Sequence, residues 1–237
     1  MNDLSPIAYR HGDVALMGWL ARPQGSPRAA ILVFPTIAND TPAVRRRATM
    51  LADLGYLAFV ADFYGTSDGD IFALATSLRT DASHYRARIE AALSTLRSLP
   101  EAAGLPIGTI GYCMGGQAAL EAARAGHELF AAVSFHGILT TDRAAQAGVL
   151  RTRILVCHGD ADPLVPREQL LAFWNEMDAA AANWHFHSYA GVKHGFTDPG
   201  SDARGVAAIG YDASADRQSW AAMVSLFDEV LGQPTPA

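Results

Sequence analysis

The chain has little that would cross-link it, hold it to nucleic acid or seat it in a membrane. Two cysteines in 237 residues, Cys113 and Cys157, are too few for a disulfide scaffold. They lie far apart and no export signal accompanies them, so both are expected to be free thiols. Positive charge is scarce: Lys and Arg total 18 against 24 Asp and Glu, a formal charge of −6. That balance supplies no basic field for nucleic acid. Long apolar runs are absent too. The longest stretch without a formal charge, residues 102–120, contains Pro106 and five glycines. Such a segment interrupts backbone rather than filling lipid, which excludes a membrane span. The first residues lack a basic region followed by an apolar one, so the expected location is cytoplasmic. No period of 20–50 residues repeats.

What is present is half hydrophobic and only 18% charged, enough apolar material for a sizeable core. Residues 1–231 read as a single domain, and 232–237 as a flexible C-terminal tail. Short apolar runs alternate with amphipathic segments. Residues 7–10 and 14–21 suggest an N-terminal hairpin. Strands are expected over 29–34, 56–62, 107–112, 130–135, 153–158 and 185–189. The intervening helices are expected over 42–54, 83–99, 115–125, 168–180 and 215–231, with room for a short one in the loop between 62 and 83. Thr41-Pro42 signals the start of the first helix and Gly55 its end. About eight strands emerge, mostly parallel, with helices on both faces and the first two strands antiparallel at an edge. This is an α/β fold with no large lid domain.

In such sheets ligands gather beyond the carboxyl ends of the strands. There lies Gly111-Tyr-Cys-Met-Gly-Gly116, between a strand and a helix. The spacing matches a nucleophile elbow with cysteine in place of serine. Glycines two positions either side let the backbones approach across a sharp turn. The turn projects Cys113 at a helix N-terminus, where unpaired N–H groups favour thiolate. The Met114 backbone N–H is placed to bind developing negative charge. Downstream, His194 sits in a glycine-flanked loop as a candidate base. Between the two, His158-Gly-Asp-Ala-Asp162 offers two carboxylates, Asp160 and Asp162, either of which could orient the histidine. The chain order nucleophile, acid, histidine fits an acyl-transfer triad.

Taken together, these segments and Leu54-Gly-Tyr56, Asp62-Phe-Tyr-Gly65, Ser134-Phe-His-Gly137 and the run from Tyr211 to Trp220 resemble the dienelactone hydrolase family of α/β-hydrolases. The resemblance implies a hydrolase of small esters or lactones, without cofactor or metal, and assigns the acid to Asp162 through the Asp-x-x-Val-Pro pattern. The implied triad is Cys113, His194 and Asp162. The backbone N–H groups of Ile37 and Met114 form the implied oxyanion site. Where the family has glutamate followed three positions later by glycine, this chain has Thr36 and Asn39. The family's glutamate-linked control of the cysteine therefore does not carry over, and its substrate-holding arginines have no placed counterpart. Asp198 stands where one would be expected.

Thr36, Tyr112, His136 and Phe196 are expected around the pocket, with Phe63 and Tyr64 as further aromatic candidates. Arg45, Arg46 and Arg47 read as a solvated helix face, with one of them a candidate for contact with an anionic substrate. His185 and His187 share a strand face without the accompanying ligands of a metal site. The expected partner is a small-molecule ester or lactone, with no nucleic acid and no membrane, in a monomer or homodimer. The competing reading is a non-catalytic small-molecule-binding protein that retains the fold.

Overall fold

The computed structural model describes residues 4–232. The expected tail, apart from Gly232, lies outside the described residues. β1 (Ser5–His11) and β2 (Val14–Ala21) pair antiparallel, and β2 then pairs antiparallel with β4 (Leu57–Val60). β3 (Ala30–Phe34), β5 (Ile107–Tyr112), β6 (Ala131–Phe135), β7 (Arg153–Gly159) and β8 (Trp184–Tyr189) run parallel to β4. The sheet order is β1-β2-β4-β3-β5-β6-β7-β8, with the hairpin at one edge.

The alternation along β3 shows why an all-apolar strand belongs in the middle. Ala30, Leu32 and Phe34 join one core cluster, while Ile31 and Val33 join the cluster on the opposite face. All five are fully buried. The first cluster is covered by α3 (Ala82–Ser98) and α4 (Met114–Arg124), through Ile89, Leu93, Ala118 and Ala122. The second is covered by α1 (Pro42–Asp53) and α6 (Ala213–Leu231), through Leu51, Met223 and Phe227. Each large apolar side chain so buried contributes about 1.5–3 kcal/mol. α5 (Arg167–Ala179) seals the β7 end through Leu170, Phe173 and Met177.

Local signals set the boundaries. Thr41 caps α1 by accepting from the Val44 N–H, Pro42 opens the helix, and Gly55 follows its end at φ +86. The expected strand over 56–62 ends at Val60. Ala61 still bonds back to Val33, but Asp62 turns out of the sheet. One further helix, α2 (Ile71–Arg79), is capped by Asp70 and buries only Ala75 and Leu78. The connections after β3, β4, β5, β6, β7 and β8 all emerge at the same end of the sheet. Among the described residues, no helix is long and apolar enough to cross a membrane.

Candidate active site

Cys113 sits between β5 and α4 with φ +56, a left-handed conformation that a side chain adopts only under constraint. The glycines around it supply that constraint. A Cβ on Gly111 would run into the carbonyl of Gly115, and one on Gly115 would meet the carbonyls of Phe34 and Pro35. Only bare backbone lets strand, elbow and helix approach so closely. The Cys113 carbonyl accepts from Gly116 and Gln117, which starts α4 directly behind the sulfur.

His194 lies beyond β8 in a loop pinned from both sides. Its N–H bonds to the Ala208 carbonyl at 3.1 Å, and its own carbonyl accepts from Gly210 at 3.1 Å. Its Nδ1 is 2.7 Å from Asp162 Oδ2, and both side chains are buried. The other Asp162 oxygen accepts from the Leu164 N–H at 2.9 Å. Of the two carboxylates left open by spacing, it is Asp162 that meets the histidine. Asp160 instead makes a forked, solvent-exposed pair with Arg167.

His194 Nε2 is buried, has no conventional hydrogen-bond partner and faces the Cys113 sulfur. Burial pushes the Cys113 thiol up. That effect is outweighed by the neighbouring His194 and by the N–H groups of Met114 and Ile37, so the net shift is downward. Burial alone would depress His194, but Asp162 and the Cys113 sulfur raise it well above its ordinary value. The pair therefore favours thiolate and imidazolium. The two N–H groups acting on the sulfur are the ones expected to receive an oxyanion.

The loop carrying Ile37 is held by Asn39, Asp62 and Tyr64, of which Tyr64 alone had been expected near the pocket. Asn39, at the family's glycine position, adopts φ +59. Its side chain donates to Asp62 Oδ1 at 2.8 Å and accepts from the Phe63 N–H at 2.9 Å. Asp62 also accepts from the N–H groups of Met17, Tyr64 and Gly65. Tyr64 closes the arrangement by donating its hydroxyl to the Ile37 carbonyl at 3.0 Å. Asp62 carried a signal only within the resembling segment Asp62-Phe-Tyr-Gly65, whereas Tyr64, expected as a pocket aromatic, supports the loop and is not among the residues lining the cavity.

A cavity of about 690 Å³ opens above Cys113, lined in part by Thr36, Ile37, Met114, Tyr112, His136 and His194. Thr36 Oγ1 accepts from the Ala38 N–H at 3.2 Å, stiffening the same loop. His136 adopts φ +40, and its Nε2 lies 2.9 Å from Thr197 Oγ1. Its ring meets His194 edge-on at 5.0 Å. Burial, then the nearby His194 charge, depress its pKa well below the ordinary histidine range, so it is a neutral wall of the site. Tyr112 stacks on Phe135 at 4.9 Å, and burial raises its phenol pKa.

Phe196 departs from expectation: it is fully buried, packs edge-on against His136 at 5.3 Å and does not line the cavity. Its place in Lys193-His-Gly-Phe196 turns it down into the core, where it supports the wall. Phe63 is likewise core, stacked on Phe34. The three consecutive arginines also separate. Arg45 pairs with Asp40, Arg46 reaches the Thr197 carbonyl, and Arg47 is buried against Asp216. Arg47 does line the cavity, but with its charge already paired. Arg79 lines it too. Its Nε donates to Gln117 Oε1 at 2.8 Å, and no carboxylate pairs with it among the described residues. Cys157 is buried in β7, which pushes its thiol up to about 12. Among the described residues, no group of three or more His, Cys, Asp or Glu side chains could hold a metal ion.

The model of the dienelactone hydrolase family matches residues 16–231. The chain belongs to that family. A dienelactone hydrolase-like promiscuous phosphotriesterase, P91, from metagenomic libraries shares 33% identity at a TM-score of 0.90, over 96% of this chain and 98% of its own. An uncharacterized protein of Caenorhabditis elegans is 37% identical over 146 residues, 61% of this chain and 92% of the relative. A carboxymethylenebutenolidase homolog from mouse is 25% identical over 181 residues, 73% and 72% of the two chains. Within the dienelactone hydrolase family, the eight-stranded sheet with helices on both faces is the α/β-hydrolase fold. Membership makes the protein a hydrolase by family.

Proposed function

We propose that the protein hydrolyses a small carboxylic ester or lactone through Cys113, His194 and Asp162, by way of an acyl-cysteine. The observation that carries this reading is the elbow cysteine facing a buried histidine whose far nitrogen is 2.7 Å from a buried carboxylate. The Cys113 thiolate attacks the carbonyl carbon, and the electron pair moves to the carbonyl oxygen. The N–H groups of Ile37 and Met114 receive that oxyanion. One such donor is worth about 3 kcal/mol of transition-state stabilisation. As the tetrahedral adduct collapses, the C–O bond breaks and His194 gives its proton to the leaving alkoxide. Water then attacks the thioester, losing a proton to His194, and thiolate departs from the acid. Asp162 holds the imidazole with Nε2 toward the sulfur throughout.

Thiolate is a better leaving group than an amide nitrogen, so an amide adduct reverts to substrate, whereas activated esters, lactones and thioesters go forward. The complete set of polar partners also weighs against a binding-only domain, which would have no use for a thiolate–imidazolium pair. The deciding measurement is hydrolysis of short activated esters and lactones by wild type, Cys113→Ala and His194→Ala. Both variants are expected to lose activity by at least about a thousandfold. Equal rates in the three proteins would remove the triad mechanism.

A further inference from the structure

Among the described residues, seven large apolar side chains are exposed, and three of them converge on one opening. Phe72, 68% exposed, comes from α2; Leu164, 46% exposed, from the loop after β7; Val206, 49% exposed, from the segment before α6. All three line the cavity above Cys113, together with Ile71 and Ile209. Single exposed apolar residues need no explanation. Three from separate elements lining one cavity above a cysteine call for one.

The chemistry of the site divides this collar in two. A leaving oxygen must meet His194, so the alcohol part of an ester exits along the His194 loop. That side carries Ile209, bridged to His194, and Val206, whose carbonyl accepts from Ile209 at 2.9 Å. Leu164 stands beside it, with its N–H on Asp162. The acyl part lies opposite, toward the loop of Ile37 and α2, where Ile71 shares a groove with Ala38 and Tyr64. Phe72 follows Ile71.

Resting on the hydrolase reading above, we infer that this collar is an apolar substrate subsite. Phe72 with Ile71 takes the acyl chain, and Leu164 with Val206 the alcohol chain. The substrate class is an uncharged, lipophilic ester, or a lactone bearing an alkyl substituent. The unpaired Arg79 does not contradict this. It occupies the opposite end of α2, about 10 Å along the axis from Phe72, and the other two arginines of the lining, Arg47 and Arg204, are already paired with Asp216 and Asp198.

Covering a methylene fully is worth about fourfold in kcat/KM and half-covering it about twofold. Wild type should therefore favour p-nitrophenyl hexanoate over the acetate by at least about tenfold. Phe72→Ala should cut that ratio to below about threefold and leave the ratio of hexyl to ethyl acetate unchanged. The double variant Leu164→Ala, Val206→Ala should do the reverse. Leu171→Ala, exposed but outside the cavity, should behave as wild type in both series. Ratios within one protein are unaffected by how much of it is folded. A flat chain-length profile in wild type overturns the inference. So does a profile that survives Phe72→Ala, or p-nitrophenyl hemiglutarate outpacing the hexanoate. A change of oligomeric state in the variants with both ratios intact would make the collar a protein contact instead. Protection of Cys113 from iodoacetamide by methyl alkyl ketones of growing length reads the same subsite without turnover. If every ester is inert the hydrolase reading falls, and the ketone series still decides the subsite.

Discussion

Selective alkylation of the two cysteines tests the electrostatics of the site without knowledge of the substrate. Burial in β7 raises Cys157 to about 12, while Cys113 lies below the ordinary thiol value of 9.0. At pH 7 that gap gives Cys113 at least about a thousand times the thiolate fraction of Cys157. A less basic thiolate is a weaker nucleophile, which returns about 20- to 30-fold of this advantage. The net expectation is labelling of Cys113 by iodoacetamide at least about 30 times faster. Burial of Cys157 widens the ratio further. Rates are read by peptide mass mapping over a time course on the native protein. The pH dependence has a definite sign. Because the thiol pKa is lowered, reactivity persists below the ordinary thiol range and disappears only as pH falls through the depressed value. His194→Ala leaves the raising effect of burial against the two N–H groups alone, so labelling at pH 7 should fall by about tenfold or more. Cys157 reacting as fast as Cys113 would refute the argument, as would a His194→Ala protein labelled at the wild-type rate.

Two further substitutions separate roles that lie close together in the chain. Asp162→Ala should lower kcat by about a hundred- to ten-thousandfold, because His194 loses its only carboxylate partner among the described residues. Asp160→Ala, two positions away, breaks only an exposed pair with Arg167 and should leave turnover of the same ester unchanged; equal losses would mean the acid is misassigned. Asp62→Asn replaces an acceptor of four hydrogen bonds by an amide, whose NH₂ must face one of those donors. The cost is about 1–3 kcal/mol, or about 2–12 °C in Tm, with a fall in kcat from the loosened Ile37 loop. Unchanged melting and unchanged kcat would show that Asp62 does not hold that loop.

The parts legible in the sequence are those where one local rule decides the backbone. The run over 29–34 is apolar at every position, short and rich in Ile, Val and Phe, which together favour a strand buried on both faces. The glycines flanking Cys113 leave a single tight turn open to them. Position in space was harder to read where charge or aromaticity was the only signal. Arg45, Arg46 and Arg47 present the same sequence pattern, yet Arg47 is buried because Asp216, far along the chain in α6, supplies a carboxylate. Phe196 follows the loop histidine, and its burial depends on His136, just beyond β6, and Tyr189, at the end of β8.

The loop carrying Ile37 combines both cases. Its register after β3 was readable, and so was the capacity of Asn39 for a left-handed backbone. The reason asparagine serves there was not readable. A glycine would reach the same φ, but it could not donate to Asp62 and accept from Phe63. The loop that positions the Ile37 N–H is thus tied by a side chain to the strand end beside it. With Thr36 in place of the family's glutamate, no carboxylate at that position acts on the Cys113 sulfur. The pair of Cys113 and His194 is then set by burial, Asp162 and two backbone N–H groups, which is why the alkylation rate of Cys113 reports so directly on the site.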